Sequence, residues 1–422
     1  MRIKVSLHGL LFVLTLTLSF MSGYSVFYGS VGSITWYLLY YGKFFLILFC
    51  IFDCFSHIYI KREDWKDTKK LFLLFCSVPI VMFLYSIIIW TINSPTNDFI
   101  TRGISDTLFK LLSYAGGIAI AYKAKENATK YVSYAAIITY VISLLMGAVT
   151  DKGYFFRYEL FNRTTSAQGK YTELHEIAFI IGMCLIFFVF SCEEDYIKSH
   201  KWSFIMLIIF FIIADKRIGF AAFGLAGLFG LTIKKKRKLT KESSIFVTGI
   251  ITVLICLLYT SLSTSNGLIS LLESHNIDLM GRDIIYRYFR QFCDFTPTYF
   301  GRGVGFVTRQ FDYTSSRDLY QMAVIRALHN DYMKVFIEIG FWGFIIWLIY
   351  WLIYIPRKIN KLAGFNAMFS AFCVILYTFV TYATDNTEGY FNYQLVLALL
   401  ISSIVFLKNN TGSNERTIND KS

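Results

Sequence analysis

Three short runs in this sequence combine side chains able to move a proton or hold an anion. The longest is His329-Asn-Asp-Tyr332-Met-Lys-Val-Phe-Ile-Glu338-Ile-Gly340-Phe-Trp-Gly343, standing where a polar segment gives way to an apolar one. An imidazole with an ordinary pKa of about 6.5 can take or give a proton near neutrality. On a helix turning about 100° per residue, positions 329, 333, 336, 340 and 343 share one face. The two glycines are therefore expected to admit a neighbouring helix beneath the histidine. Glu338 falls on the opposite face and Lys334 can snorkel to an interface, so both stay outside the candidate set. A histidine at a helix mouth also serves as a structural cap, and that alternative stands beside the chemical one.

The second run begins at Gly281-Arg282-Asp283, with Ile285, Tyr288, Phe289 and Phe292 at helical spacing and Arg287 and Arg290 opposite them. Such a segment is expected to lie along the outer leaflet and hold Arg282 among lipid headgroups; the alternative is a plain interfacial helix. Between 262 and 333 the basic residues are Arg282, Arg287, Arg290, Arg302, Arg309, Arg317 and Arg326, with no lysine. A guanidinium fork grips phosphate or carboxylate at two points, which suits an anion site. Simple pairing with Asp283, Asp294, Asp312 and Asp318 is the competing account.

The third run is Asp215-Lys216-Arg217, in a tight turn between two apolar stretches, where charge marks either function or turn solvation. A smaller polar loop, 151 to 176, adds Arg157, Arg163 and Lys170, and its side chains from Asn162 to Glu176 suit sugar hydroxyls. Gly301-Arg-Gly-Val-Gly305 has Phe306 where a dinucleotide fingerprint needs its last glycine, and reads as a turn. No Asp-x-Asp or His-x-x-x-His pair falls in these loops, so acid–base chemistry without a metal or cofactor is the expectation.

The elements that must position these groups follow from composition. Hydrophobic residues make up 55% of the 422 and only four positions are proline, so membrane-length apolar runs should recur. Twelve stretches qualify or nearly so, from 7–24 to 390–407, with the shortest at 203–214 separated from 217–233 only by the third run. Without water in the hydrocarbon layer such spans must be helices, which makes the chain an all-α polytopic membrane protein, one membrane domain over 1–422. The first stretch, followed by no small-residue cleavage pattern, is expected to remain as an anchor.

More than half of the 41 basic residues collect in alternate connections, around 61–70, 123–130, 198–201, 234–241 and 357–361, and at both termini. Those connections and both termini are expected in the cytoplasm, and 262–333 becomes a large outward loop between the ninth and tenth helices. The net charge of +13 thus has a topological cause, and no nucleic-acid partner is called for. Only Cys293 of eight cysteines lies in an outward segment, so no exported disulfide is expected, and Cys50 and Cys54 read as packing residues rather than a metal pair.

An arginine at a helix junction (Arg217), Gly281-Arg282 in the large outward loop, and His329-Asn330-x-Tyr332 followed by Glu338-x-Gly340-x-x-Gly343 at its end, in that order, resemble the O-antigen polymerase and ligase superfamily. The resemblance implies a GT-C-like fold in the bacterial inner membrane and transfer of a glycan from undecaprenyl diphosphate to an acceptor hydroxyl. By the same resemblance Arg217 and Arg282 bind the diphosphate and His329 positions or deprotonates the acceptor. Arg157, Arg163, Arg287, Arg290, Asn330 and Tyr332 are the expected further substrate contacts. The chain departs from its relatives at Thr172-Glu-Leu-His175-Glu176, where they often carry Asn-Pro, and at Lys216, where serine is usual.

The expected partners are an undecaprenyl-diphosphate-linked oligosaccharide and membrane lipids, with a chain-length regulator and a flippase as companions in such a system. Polymerisation of repeat units into O-antigen or capsule is the preferred activity. Ligation to lipid A core is the alternative, and a flippase or other transporter the second alternative, although no internal repeat is visible.

Overall fold

Apolar runs without flanking water leave the backbone no partner but itself, and the chain answers with helices. The computed structural model describes residues 7–60, 65–161, 169–191, 194–235, 238–277, 281–315 and 327–419, and no strand occurs among them. The expectations placed on Arg163, Arg317, Asp318 and Arg326 fall outside these residues.

Twelve helices correspond to the twelve apolar stretches: α1 (Leu7–Met21), α2 (Ile34–Ile60), α3 (Trp65–Asn93), α4 (Asn97–Ala124), α5 (Ala128–Thr150), α6 (His175–Ser191), α7 (Lys201–Ala214), α8 (Arg217–Lys234), α9 (Lys238–Thr264), α10 (Asp331–Ile349), α11 (Phe365–Tyr382) and α12 (Phe391–Asn419). Seven segments are long and apolar enough to cross a bilayer, one of which, Asn97–Thr150, contains both α4 and α5; four shorter apolar helices accompany them. The closely spaced pair resolves into α7 and α8, parted by Asp215 in the left-handed region at φ 48°. The chain is a multi-pass, all-α membrane protein.

Helix ends meet in two groups. At one end Tyr24 reaches the start of α6, Asp98 reaches Arg309, and Asn386 reaches His329. At the other, Asp53 pairs with Lys123 at 3.0 Å, Lys234 donates to Val189 O, and Asn360 donates to Glu242. Successive helices therefore run up and down, and the described basic connections gather at the end away from the large loop. Leu38, Phe45 and Phe52 of α2 are 69%, 72% and 73% exposed, a lipid-facing stripe, whereas α6 is buried almost all round and forms the centre with α11 and α12.

The large loop folds against the bundle. Its helix Arg282–Arg290 buries Ile285, Tyr286 and Phe289 against Leu268, Val307, Phe311, Leu328, Met333 and Ile337. The apolar stripe expected to lie on the outer leaflet is thus covered by protein, because the helices Gly267–Ser274 and Phe306–Ser315 supply the complementary faces.

The expected continuous face from 329 to 343 does not exist. α10 is broken at Gly340, whose φ of 70° and ψ of −173° interrupt the helix. Into the break runs an extended strap, residues 299–304, whose backbone pairs with the unwound turn: Arg302 N to Ile337 O at 2.9 Å, Gly303 N to Glu338 O at 2.8 Å and Phe341 N to Tyr299 O at 2.9 Å. What approaches the glycine is a loop backbone rather than a helix, and a Cβ at Gly340 would collide with Phe300. Gly301-Arg-Gly-Val-Gly305 is likewise more than a turn, since a Cβ on Gly303 would strike Trp90 of α3. We expect Gly340→Ala to destabilise the protein by about 1–3 kcal/mol from backbone strain alone, with the collision adding to it. Gly343→Ala, where a Cβ meets only the Ile339 side chain at 3.0 Å, should be nearly silent; thermal midpoints in detergent compare the two.

Candidate functional site

His329 precedes α10 in the left-handed conformation at φ 50°, an uncommon posture for a side chain with a Cβ. Its neighbours hold it there. Asn330 caps α10 by accepting from Met333 N at 3.0 Å, and its amide donates to Ser263 Oγ of α9 at 3.0 Å. Asp331 accepts from Glu388 N at 2.7 Å, and Tyr332 donates to Phe379 O. The start of α10 is thereby fastened to α9, to α11 and to the α11–α12 connection. Asn330 and Tyr332, expected as substrate contacts, are spent on this fastening and are buried.

Among the described residues the imidazole hydrogen-bonds to Asn386 alone. Asn386 Oδ1 accepts from the His329 backbone N at 2.9 Å, which fixes that amide's orientation and turns its Nδ2 toward His329 Nδ1 at 3.3 Å. Nδ1 is then the acceptor, so the neutral ring carries its proton on Nε2, the free nitrogen. Burial pushes the His329 pKa down to about 4; Asp385 opposes this, while Arg282, His175 and Lys216 reinforce it.

Arg282 is the first residue of its helix, after Gly281 at φ 79°, and is half-buried. Its charge reaches the imidazole and the phenols of Tyr259 and Tyr286, and Tyr286 donates to His329 O at 3.4 Å. No ion pair engages Arg282 among the described residues.

From the α7–α8 turn, Lys216 rather than Arg217 enters this group. Lys216 Nζ lies 2.5 Å from Glu173 Oε1, and its charge reaches His175 and His329. The expected Arg217 side chain is exposed, with no described contact to His329 or Arg282. The departure segment 172–176 therefore supplies a working part: Glu173 and His175 stand beside Lys216, His175 lying 3.8 Å from Glu173. Asp385, which the sequence did not single out, is buried beside the imidazole; its Oδ1 accepts from Asn386 N at 2.8 Å and Tyr390 Oη at 3.0 Å.

The remaining expected contacts disperse. Arg287 is exposed, 3.5 Å from Glu273. Arg290 turns to Ser263 O and Asn266, joining its helix to the end of α9. Arg157 is exposed with its guanidinium over Tyr158 at 5.4 Å, and no described contact joins it to His329. Lys334, expected to snorkel outward, instead points inward to Glu388 at 3.0 Å, and Glu338 is buried with its carboxylate on Gly305 N at 3.1 Å.

The candidate site is thus a half-buried cluster at the loop end of a multi-pass helical membrane protein, bringing together Arg282, the Lys216–Glu173 ion pair, the imidazoles of His175 and His329 and the Asp385 carboxylate. Residues 202–348 match the family model described as O-antigen ligase, a span that includes Lys216, Arg282 and His329, and the resemblance carried by the motifs to the O-antigen polymerase and ligase superfamily is borne out over that segment. No curated protein matches the chain. The family supports an enzyme of the glycosyltransferase kind, acting on lipid-linked saccharides in membranes as an O-antigen polymerase or ligase.

Because the folded state holds the imidazole neutral well below its free pKa, the unfolded chain binds the extra proton between about pH 6.5 and 4. Stability contributed by neutral His329 should be present above pH 6.5 and fall as pH drops through that window. The difference between wild type and His329→Gln in thermal midpoint against pH isolates the effect: the gap should narrow or reverse toward pH 4.

Proposed function

We propose that this chain polymerises lipid-linked repeat units at the outer face of the bacterial inner membrane, with 262–333 and the candidate site facing outward and both termini in the cytoplasm. What supports this reading is that Arg282 and Lys216, from two other parts of the chain, lie near enough for their charges to act on the His329 imidazole, all three within the segment that matches the family model. Undecaprenyl diphosphate offers the anion for those cations at that depth, and O-antigen or capsular material is the product.

In the transfer, a hydroxyl oxygen of the acceptor attacks the anomeric carbon of the donor sugar. The bond from that carbon to the diphosphate oxygen breaks, its electron pair stays with the diphosphate, and the hydroxyl proton must leave. Arg282 and Lys216 bind the departing charge more strongly as it develops, which lowers the barrier. With Nδ1 engaged by Asn386, the His329 Nε2–H donates to the departing oxygen. The acceptor proton goes to Asp385, whose Oδ1 is already hydrogen-bonded and whose charge acts on the imidazole. This assigns the histidine as donor and the aspartate as base.

The description of the matching family favours a second reading, ligation of finished polymer to lipid A core. Gels of surface glycan separate the two: loss of the polymerase leaves core capped with single repeats, while loss of a ligase leaves bare core. Bare core would sink the polymerase reading. Arg282→Lys, which keeps charge and loses the fork, should cut polymer about a hundredfold at normal protein level. Asp385→Asn preserves the contacts of Oδ1 and should cost about a hundredfold or more; wild-type polymer in that variant would remove the aspartate from the reaction.

A further inference from the structure

A second polar group lies beside the candidate site and has no part in it. Glu388 receives the ammonium groups of Lys110, almost halfway along α4, and Lys334, one turn into α10. Arg102 pairs with Asp106 at 3.1 Å on the same face of α4, and Thr308 donates to Asp106 at 3.1 Å. Charges buried in a helix bundle are costly to keep, and a structural clamp would not need a hollow between them. Here they surround a cavity of about 350 Å³, within the range of about 300–1,000 Å³ usual for small-molecule sites.

The wall chemistry selects the occupant. Arg102 is paired with Asp106, and Lys110 and Lys334 share Glu388, so each cation already has a carboxylate partner. A phosphate would need a cation without a carboxylate partner, which among the described residues Arg282 is. Paired ions instead present alternating donors and acceptors, because each ammonium keeps N–H groups beyond those given to Glu388. Tyr40, Tyr390 and Phe391 add flat apolar faces to the same cavity. Hydroxyl-matching edges with aromatic faces suit a pyranose ring, whose rim is polar and whose C–H face is not.

The wall nearest the imidazole is Asn386, which lines the cavity and holds His329 through both its amide atoms. We propose that this cavity binds an uncharged sugar of the acceptor and presents its hydroxyl past Asn386 to the site of transfer. The proposal rests on the glycosyl-transfer reading above and adds a second, saccharide-specific compartment to the anion-binding one.

The test uses full-length protein in detergent and two probes: the repeat-unit oligosaccharide released from its lipid by mild acid, extracted from a strain lacking this protein, and undecaprenyl diphosphate. Ser105→Trp on α4 and Thr308→Trp on the helix Phe306–Ser315 fill the cavity from two sides, and Tyr40→Leu removes an aromatic face without filling it. Variants with the wild-type thermal midpoint should bind the oligosaccharide about tenfold more weakly by saturation-transfer NMR and undecaprenyl diphosphate within about twofold of wild type. Inorganic pyrophosphate should not displace the oligosaccharide. Wild-type oligosaccharide binding in a folded variant, or displacement by pyrophosphate, overturns the proposal. Should deletion of the protein leave surface glycan unchanged while the variants still lose sugar binding, the transfer reading fails and the saccharide cavity stands.

Discussion

The backbone pairing between the strap 299–304 and the unwound turn of α10 is the constraint on which the loop end depends. A helix broken inside a membrane bundle frees amide and carbonyl groups that lipid cannot satisfy, and irregular backbone is tolerated there only where protein supplies partners. Gly340 creates the need, and Gly301 and Gly303, both at positive φ, give the strap the shape that meets it. Once seated, the strap brings Gly305 to the Glu338 carboxylate and carries the helix Phe306–Ser315 onto α4. The loop is thereby an inserted part of the bundle rather than a cover resting on it.

The same junction explains why the electrostatics divide into two compartments. On one side of the Asn386 amide stand Arg282, with no ion pair among the described residues, Lys216 paired with Glu173, and the neutral imidazole. On the other, every cation has a carboxylate within reach. Coulomb attraction to an anion is weakened where cations are already answered, so Arg282 is what sets the first compartment apart from the second although they share a wall.

The membrane class, the helices and the tight α7–α8 turn were legible in the sequence, because apolar runs announce themselves locally, and Arg282 and His329 stood out there by residue type and spacing. The rest depended on tertiary geometry. Asp385 and Asn386 sit in a connection of a few residues that looked like a turn, and nothing in their spacing tells which helix mouth they face. Lys216 and Arg217 are adjacent on a turn, and which of them enters the site is decided by Glu173, 43 residues earlier in the chain. Lys334 read as a snorkelling residue because its anionic partner, Glu388, lies across two helices. A helical wheel assumed a continuous α10, and a glycine at φ 70° voids that assumption.

The order in which the chain is made gives the Asn386 contact a further consequence. Glu173, Lys216, Arg282 and His329 are all synthesised before it, and the hydrogen bonds from Asn386 to His329 form only when the α11–α12 connection arrives. A chain stopping short of that point would hold Arg282 and Lys216 beside a histidine without its Asn386 contact. The imidazole is therefore oriented only when the hairpin of α11 and α12 inserts, and a protein truncated before residue 386 would keep Arg282 and Lys216 but lack the contact that sets the ring.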